Sequence, residues 1–396
     1  MFVVIVERQS IRMNFFILSS YQNIFLKQYF VLLGTLKKYL KKYFFSTSDK
    51  IFEMNEANNC QWRVARRPEG NVVNEDFEYR EIDIPEIQDG EVLLKTLYLN
   101  LAPVMRMYMS GESAAGEQSL DIGDVIHGRG VAEIIESKHS DYKEGEIVQG
   151  QMGWQTYKAS KMTDEEKFRK IPDMGAPYSL GLSLLGMTGL SAYFGYFSHG
   201  NPNRGETVVI SGAAGGVGST VVQFAKMLDC YVIGIAGGEE KCNFIESLGC
   251  DQSIDYKSGD IKNRIREAAP NGIDLYFDNV GGDILCACME NLAMNSRIVH
   301  CGSISEYLLD EPFGLKNYTN LRRTNSSLKG FFIYNHLHEI DSAEEQLVRW
   351  IKDEKIKSVE HIVDGFMSMP DGLAQLYDGS NHGVALCQVR HCRYSN

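Results

Sequence analysis

A glycine-rich turn between residues 208 and 219 is the strongest chemical motif of the sequence. It reads Val-Val-Ile-Ser-Gly-Ala-Ala-Gly-Gly-Val-Gly-Ser, an apolar strand followed by a helix start. Ala213, Gly215 and Gly218 have the spacing of the dinucleotide fingerprint, with alanine in place of its first glycine. Gly215 would let the backbone approach a pyrophosphate, and Gly218 would let the helix pack on the strand. A flexible turn is the alternative, but the strand before it and the helix after it favour a dinucleotide site.

The end of the next strand bears on which nicotinamide dinucleotide fits. NAD-specific folds place a carboxylate there, about 20 residues beyond the glycines, to bind the ribose 2′-hydroxyl. Here the strand runs out at residues 234–238 without one, and Glu239 and Glu240 fall in the first turn of the next helix, where they complement its dipole. Lys241 could reach a 2′-phosphate as a point charge, or it could be a solvated helix residue. The missing carboxylate favours NADP(H).

Strands alternating with helices surround this turn and predict a parallel, doubly wound sheet. The predicted strands are 207–210, 231–235, 273–279 and 297–300, and the predicted helices are 219–228, 239–248, 258–268, 283–294 and 344–352. Before them, from 62 to about 148, short strands separated by turn signals predict an all-β module. Residues 180–197 are apolar at helical spacing.

The overall composition restricts the classes of function. The chain has 396 residues, 44% of them hydrophobic, which is long enough for two domains with sizeable cores. Its formal net charge of −12 disfavours nucleic-acid binding, which needs a basic surface. The nine cysteines have no framework spacing, and no His/Cys cluster has metal-ligand spacing. This predicts reduced thiols in an intracellular protein and no structural zinc.

Residues 1–53 differ from the rest, with eight basic and three acidic side chains. Their longest charge-free apolar stretch, around 29–36, is too short to span a bilayer, so we expect no stable membrane insertion. The segment is either a mitochondrial-type presequence, basic and poor in acids, or a non-native extension before Met54. We expect it to be dispensable for folding and catalysis. The expected location is cytoplasmic, or mitochondrial if the presequence is native.

Four motifs occur in order that resemble the medium-chain dehydrogenase/reductase superfamily. Within it they resemble the prostaglandin reductase branch, which includes 15-oxoprostaglandin 13-reductases and NADP-dependent alkenal double-bond reductases. The motifs are Gly-Met-Thr-Gly-Leu-Ser-Ala-Tyr-Phe-Gly at 186–195, the turn at 213–218, Phe-Asp-Asn-Val-Gly-Gly at 277–282 and Cys-Gly-Ser-Ile-Ser-Glu-Tyr at 301–307. The resemblance extends from about Trp62 to Arg390 and does not cover residues 1–53.

The resemblance implies an α/β fold class with two domains. A GroES-like, β-rich catalytic domain would occupy residues 54–183, and a Rossmann domain with a doubly wound parallel sheet would bind NADP(H) within 184–352. Residues 353–396 would return to the catalytic domain. The resemblance further implies NADPH as hydride donor, no zinc, and a homodimer joined through the edges of the Rossmann domains.

The resemblance also assigns contacts to the cofactor, from its pyrophosphate to its nicotinamide ring. The pyrophosphate would be held by Gly215, Gly216, Val217 and Gly218, and the 2′-phosphate end by Lys241 and Tyr256. The loop under the nicotinamide would be Cys301, Gly302, Ser303, Ile304, Ser305, Glu306 and Tyr307. Further contacts would come from Asn279, Phe331, Phe332, Ile333 and Asn381.

The sequence departs from the family pattern at positions near the expected substrate. The family commonly has Val-Asp-Pro-Tyr-Met-Arg where this chain has Leu-Ala-Pro-Val-Met-Arg at 101–106, and Asn-x-Gly-Lys where it has Asn-His-Gly-Val at 381–384. Gln151 and Met152 are predicted substrate-pocket residues in place of an aromatic pair. These changes leave the expected fold and cofactor as they are and put the natural substrate in doubt.

Reduction of an enone needs a donor aimed at the carbonyl oxygen, where negative charge grows as hydride arrives. Tyr307 is the candidate, either donating directly or fixing the cofactor ribose; the alternative is an aromatic residue that packs a domain interface. His127 lacks ligand partners at the spacing of a zinc site and is expected to be structural. Asp278 is expected to end a strand and anchor the next turn.

The predicted function is therefore NADPH-dependent reduction of the carbon–carbon double bond of α,β-unsaturated ketones or aldehydes, such as 15-oxoprostaglandins or alkenals. Three alternatives stay open: an NADPH:quinone oxidoreductase, a non-catalytic crystallin-like or regulatory NADPH-binding protein, and a zinc alcohol dehydrogenase. The expected partner is a small-molecule enone or lipid-derived carbonyl compound.

Overall fold

The computed structural model of the chain describes residues 58–113, 117–171, 177–309, 311 and 313–389. The expectations for residues 1–53 lie outside this range. No helix in the described part is both long enough and apolar enough to cross a membrane.

The first part of the described chain is built from antiparallel strands. Strands β1 (Asn58–Val64) and β2 (Phe77–Asp83) pair with each other. The next strands belong to one larger sheet and are β3 (Val92–Asn100), β4 (Arg129–Ser137), β5 (Ile147–Gln151), β6 (Tyr157–Ser160) and β7 (Arg169–Lys170). Helix α1 (Met105–Met109) follows β3, and a 3-10 turn (Asn74–Asp76) precedes β2. Val92, Leu93 and Leu94 of β3 are all buried, and so are residues 130–132 of β4, because both faces of these strands are covered.

A second sheet of six parallel strands follows. Its strands are β8 (Thr207–Ser211), β9 (Tyr231–Ala236), β10 (Gln252–Asp255), β11 (Ile273–Asp278), β12 (Leu292–His300) and β13 (Ser327–Gly330). Their spatial order is β10-β9-β8-β11-β12-β13, so the chain changes direction across the sheet between β8 and β11. This is the doubly wound order in which ligands bind at the carboxyl ends of the strands beside the switch point.

Helices connect and flank these parallel strands. They are α2 (Met187–Tyr193), α3 (Gly216–Met227), α4 (Glu239–Ser247), α5 (Ile261–Ala268), α6 (Gly282–Met289), α7 (Asn320–Arg323) and α8 (Ile340–Lys352). The continuous helical interpretation of 180–197 is wrong, because the segment divides into a 3-10 turn (Tyr178–Gly181), α2 and a π-helix (Phe194–His199). Gly189 permits the chain to fold back before α2, since a side chain there would collide with the Leu184 carbonyl.

The predicted helix 283–294 is five residues too long. Helix α6 ends at Met289, and β12 starts at Leu292 rather than at 297. Leu292 is the register partner of Ile273 in the neighbouring strand β11. The apolar residues at 292–294 therefore belong to a strand. Three residues are too few to distinguish the period of a strand from that of a helix.

The last strands rejoin the first sheet. Strand β14 (Glu360–Asp364) pairs with β15 (Val384–Gln388), and β15 pairs antiparallel with β3. A 3-10 turn (Phe366–Ser368) and helix α9 (Met369–Asp378) lie between the two strands. The seven-stranded sheet has the order β14-β15-β3-β4-β5-β7, with β6 paired to β3. Phe366, Leu373 and Cys387 consequently share one apolar core with Trp62 and Leu94.

The cysteines are mostly thiols, as expected. Seven described cysteines are free: Cys230, Cys242, Cys250, Cys286, Cys288, Cys301 and Cys387. The expectation is wrong for Cys60, which is disulfide-bonded. Sequence spacing does not reveal such a bond, because pairing depends on the distance between two Cα atoms in space.

Candidate active site

The glycine-rich turn lies at the switch point, between the end of β8 and the start of α3. A Cβ atom on Gly218 would sit 2.8 Å from the Ala213 Cα, so only glycine permits this close packing of helix on strand. A Cβ on Gly215 would meet just the Gly212 carbonyl, at 3.3 Å, which leaves open space above the turn. Gly215 is also the N-cap of the twelve-residue helix α3 and places no side chain over its free N–H groups. This arrangement suits a pyrophosphate.

The returning tail runs beside this turn. The Gly383 N–H donates to the Ala214 carbonyl at 2.7 Å, and Gly383 pairs with Gly215 in a β-bridge. Gly383 has φ of +66°, a conformation that favours glycine. The bridge places Asn381, two residues earlier and partly exposed, next to the pyrophosphate turn.

Asp278 is a buried hub at the end of β11. Its side chain is 0% exposed. One carboxylate oxygen accepts from the Ser211 and Tyr276 hydroxyls at 3.0 and 2.7 Å and from two backbone N–H groups of the following turn, and the other lies 2.9 Å from His300 Nδ1. The expectation that Asp278 anchors the neighbouring turn is confirmed.

The electrostatics of this hub favour an ion pair. Burial opposes ionisation of Asp278, but the hydrogen bonds from His300, the Gly281 N–H, Tyr276 and the Val280 N–H hold the pKa of its carboxyl below the usual value. The same contact with Asp278 raises the pKa of His300. Asn279, next in the chain, donates its amide N–H group to the Ser211 carbonyl at 2.8 Å. The ends of β8 and β11 are thus fixed to each other at the switch point.

The loop 301–307 is held against this hub. The Cys301 N–H donates to the Asp278 carbonyl at 2.8 Å, and the Ser305 hydroxyl donates to the Val280 carbonyl at 2.6 Å. Glu306 accepts from the Gly282 N–H at 3.0 Å and so caps helix α6. The observed contacts of Ser305 and Glu306 are structural, whereas Gly302 and Ile304 are partly exposed. The cofactor roles assigned to this loop stay a prediction.

Tyr307 folds back over the same loop. Its hydroxyl oxygen lies 3.5 Å from the Ser303 nitrogen, and it would be 3.4 Å from a Cβ on Gly302. Burial raises the pKa of this hydroxyl above its usual value, so at neutral pH it keeps its proton. Tyr307 can therefore act as a hydrogen-bond donor.

A second tyrosine, Tyr108 on α1, faces Tyr307 and was not singled out from the sequence. Its side chain is 5% exposed, and no described residue forms a hydrogen bond with its hydroxyl. Burial raises the pKa of this hydroxyl, and Glu117, Tyr334 and Tyr307 raise it further. Tyr108 occurs four residues after Val104, where the family pattern has tyrosine. That spacing, one helical turn, is the signal that could have found it.

A charged cluster lies beside Tyr108 and connects residues of the first sheet's part of the chain to a residue that follows the parallel sheet. Arg129 donates to the Tyr334 hydroxyl at 2.8 Å, and that hydroxyl lies 3.3 Å from Glu117 Oε1. Lys167 pairs with Glu117 at 2.8 Å and lies 4.3 Å from the centre of the Tyr334 ring. Tyr334 belongs to a 3-10 helix (Ile333–Glu339) that follows β13 of the parallel sheet, so this cluster links the parts of the chain that form the two sheets.

Phe331, Phe332 and Ile333, the predicted lining of the nicotinamide side, differ in their surroundings. Phe331 stacks on His199 with 4.9 Å between ring centroids. Phe332 is 45% exposed and packs against Tyr334. Ile333 is partly buried against the core under α3 and α8. Phe332 is the one of the three with most surface free for a ligand.

Lys241 and Tyr256, the predicted contacts of the 2′-phosphate, come together at the end of β9. A Cβ on Gly237 would be 2.8 Å from the Tyr256 ring and 3.0 Å from Lys257 Cε, so both side chains pack over this glycine. Burial lowers the pKa of Lys241, and the charge of Lys257 lowers it further. Lys257 is a second cation at this point that sequence reasoning missed, although it directly follows Tyr256.

The two predicted substrate residues are placed differently. Gln151 is partly exposed, and its side-chain oxygen is buried without a hydrogen-bond partner among the described residues. Met152 is 0% exposed and packs over Gly130, within the core of the first sheet. Gln151 is available to a ligand, whereas the observed role of Met152 is packing.

These features fit a dinucleotide with a 2′-phosphate: open space over a helix N-terminus, and two lysines at the end of the second parallel strand. In the part of the chain that the structure describes, no group of three or more His, Cys, Asp or Glu side chains is arranged to hold a metal ion. A parallel Rossmann sheet with a glycine-rich turn at its switch point, together with a β-rich partner lobe, is the architecture of a nucleotide-dependent oxidoreductase.

Comparison with known proteins identifies the family. Residues 60–171 match the N-terminal domain of oxidoreductases, and residues 216–353 match the zinc-binding dehydrogenase family. The NADPH-dependent curcumin reductase of Escherichia coli is 38% identical over 84% of this chain and 97% of its own length. Prostaglandin reductase 1 of Bos taurus is 37% identical over 83% and 98%. The crystal structure of CurA in complex with NADPH from Vibrio vulnificus superposes with a TM-score of 0.78 at 35% identity, over 83% of this chain and 99% of that one.

The chain belongs to the medium-chain dehydrogenase/reductase superfamily, in the branch that contains the prostaglandin and alkenal reductases. The predicted fold class and the predicted cofactor, NADP(H), are confirmed.

Proposed function

We propose that this protein reduces the carbon–carbon double bond of small α,β-unsaturated ketones or aldehydes with NADPH. The observation that carries the proposal is the position of Tyr307 on the loop that Asp278 fixes beside the dinucleotide turn. Burial raises the pKa of its hydroxyl, which supports a role as a hydrogen-bond donor. The (+)-pulegone reductase of Mentha piperita, 36% identical over 78% of this chain, and a 2-alkenal reductase of Nicotiana tabacum, 35% identical over 84%, support the substrate class.

When bound, NADPH supplies the hydride. The overall reaction joins that hydride to the β-carbon and a proton from solvent to the α-carbon, so an enone becomes a saturated carbonyl compound. Tyr307 donates a hydrogen bond to the substrate oxygen, where negative charge accumulates. Burial of its ring keeps the hydroxyl protonated, and the loop contacts to Asp278 and Val280 hold it in place.

The substrate class is tested by NADPH oxidation with a panel at equal concentration: a short 2-alkenal, a 15-oxoprostaglandin, a cyclic enone, a quinone and a saturated ketone. We expect turnover with the first three, and mass spectrometry should find the saturated carbonyl product. No turnover of the saturated ketone is expected, because it has no β-carbon to accept hydride. Reduction of the quinone alone would favour a quinone oxidoreductase. Tight NADPH binding without turnover of any compound would favour a non-catalytic binding protein.

We propose a homodimer joined through β13. This strand is the edge of the six-stranded parallel sheet, and three of its four residues are exposed. Light scattering coupled to gel filtration tests the assembly, and Leu328→Pro, which breaks strand pairing at that edge, should yield a monomer. A monomeric unmodified protein would contradict the proposal.

We further propose a cytoplasmic location, with a mitochondrial one if residues 1–53 act as a presequence. The acid-poor composition of that segment supports the second case. Fractionation of cells that produce the full chain, with detection of the mature N-terminus, distinguishes the two.

A further inference from the structure

A corner made of Lys241, Tyr256, Lys257 and His382 lies where β9 ends, and we call it the phosphate corner. Lys241 comes from the first turn of α4, while Tyr256 and Lys257 follow β10 and pack over Gly237. His382 comes from the returning tail. Its ring meets Phe244 of α4 edge-on, with centroids 5.4 Å apart at 83°.

The ammonium groups of the corner lack ion-pair partners among the described residues, although the Asp255 carboxylate accepts the backbone N–H groups of Gly238 and Lys257 beside them. Neither Lys241 nor Lys257 forms an ion pair with a described residue, and the two ammonium groups repel each other. Two carboxylates, Glu240 and Asp378, act on Lys241 from further away. Both of these residues are exposed, so solvent weakens their effect. A phosphate monoester carries up to two negative charges at neutral pH, so its binding would neutralise the two lysine charges.

His382 has a buried nitrogen that faces this corner. Its Nε2 atom has no hydrogen-bond partner among the described residues, and the nearest carboxylate oxygen, on Glu240, is 3.8 Å away. A buried polar nitrogen without a partner is costly, and a ligand is one way to satisfy it. The charged and titratable groups that face the ring are Lys241 and Glu240 from α4 and His361 from β14.

The charge around His382 changes sign when a phosphate binds. Without one, burial and the positive charge of Lys241 lower the pKa of His382, and the ring is neutral at pH 7. A phosphate dianion next to Lys241 would more than neutralise that ammonium group. The imidazolium form of His382 would then be favoured, with Nε2–H available as a donor.

We propose that His382 is a ligand of the cofactor 2′-phosphate and takes up a proton when NADPH binds but not when NADH binds. The proposal rests on the assignment of Lys241 to the 2′-phosphate in the proposed function. The returning tail has Val384 where the family pattern has lysine. In the proposal, His382 supplies the tail with a cation instead.

The test is calorimetric titration of the protein with NADPH and with NADH at pH 7, in buffers of different ionisation enthalpy. The slope of the binding enthalpy against the buffer enthalpy counts the protons taken up. We expect NADPH to take up about half a proton more than NADH with the unmodified protein, and His382→Gln to abolish this difference. The 2′-phosphate has its own ionisation near pH 6, and the glutamine variant subtracts that contribution.

The dissociation constants give a second readout. As the pH falls from 8 to 6, the preference for NADPH over NADH should rise about five- to tenfold more in the unmodified protein than in His382→Gln. A matched control is His139→Gln, on the loop after β4. This variant should show the same proton uptake and the same pH dependence of the cofactor preference as the unmodified protein. Equal proton uptake with NADPH and NADH, or uptake unchanged in His382→Gln, overturns the proposal. Equal affinity for NADPH and NADH would instead contradict the cofactor assignment, so the two failures are distinguishable.

Discussion

The Asp278 hub and the phosphate corner differ in how their charged groups are paired. In the hub, a fully buried carboxylate receives five hydrogen bonds from the protein itself. In the corner, two lysines and a histidine have no such partners among the described residues. The polar groups of the hub are satisfied by the protein itself, whereas we propose that those of the corner are satisfied by a ligand.

The difference follows from what each region has to do. The hub holds the loop that carries Tyr307, and the catalytic role proposed for that hydroxyl needs a fixed position before the substrate arrives. The role proposed for the corner is to distinguish a phosphate from a hydroxyl group, so its charges must stay available to the ligand. Substitutions in the hub should therefore affect folding and turnover, and substitutions in the corner should affect the choice of cofactor.

Asp278→Asn should have the largest effect, a loss of about 3–5 kcal/mol in the free energy of unfolding, because a neutral amide replaces a fully buried carboxylate that accepts five hydrogen bonds and pairs with His300. Urea denaturation measures it. The pKa of Asp278 is lower in the folded protein than its unfolded value of about 3.9. Its contribution to stability is therefore complete above about pH 3.9 and is lost as the pH falls through the pKa of the folded state. The raised pKa of His300 makes its contribution complete below about pH 6.5 and lost at higher pH. The difference between the proteins should thus be largest between these limits.

The control for this substitution is Asp283→Asn, an exposed acid in the first turn of α6, which should change stability by less than about 0.5 kcal/mol. If Asp278→Asn unfolds at the same urea concentration as the unmodified protein, the hub does not support the fold.

Tyr307→Phe should lower turnover of an enone about a hundred- to thousandfold, which corresponds to roughly 2.7–4 kcal/mol for one well-placed donor. The melting temperature and the NADPH affinity should be nearly unchanged, because the ring and its packing remain. Tyr318→Phe, at a residue that is 62% exposed, is the matched control. Turnover within twofold would assign Tyr307 to packing, and a fall in NADPH affinity would assign it to holding the ribose.

Lys241→Ala should weaken NADPH binding by about 1.5–3 kcal/mol, the range for a hydrogen bond to a charged group, and leave NADH binding nearly unchanged. Lys257→Ala should act in the same direction with a smaller effect, because this side chain is exposed. Fluorescence titration with the two cofactors measures both. Lys262→Ala, at a surface lysine paired with Glu290, is the control. Equal use of NADPH and NADH by the unmodified protein would contradict the prediction.

Tyr108→Phe should have the smallest effect, a five- to tenfold lower kcat/KM for an enone, which is about 1 kcal/mol for a single neutral hydrogen bond. Its hydroxyl has no described partner and faces Tyr307, so we expect it to contact the substrate. An unchanged kcat/KM, with unchanged stability, would place this hydroxyl outside the substrate pocket.

The sequence predicted the parallel sheet and its glycine-rich turn well, because these depend on local patterns. The strands at 207, 231 and 273 begin where the structure has them. The limits of α6 and the divided helix at 178–199 were not predictable, since both depend on close contacts with distant residues such as Ile273 and on the chain folding back at Gly189. The approach of the tail to the turn, through Gly383 and Ala214, has no local signal either.

The sequence by itself determined the dinucleotide turn and the missing carboxylate after β9, because each depends on residue type at a short spacing. The role of Tyr307 was predicted from the family resemblance and stays a prediction. Only the tertiary structure decided that Met152 packs in a core, that Tyr108 faces Tyr307 and that His382 lies beside Lys241. His382 and Lys241 are 141 positions apart in the sequence. No periodicity spans such a distance, and the two are brought together because the tail adds β14 and β15 to the first sheet and passes the nucleotide turn between them.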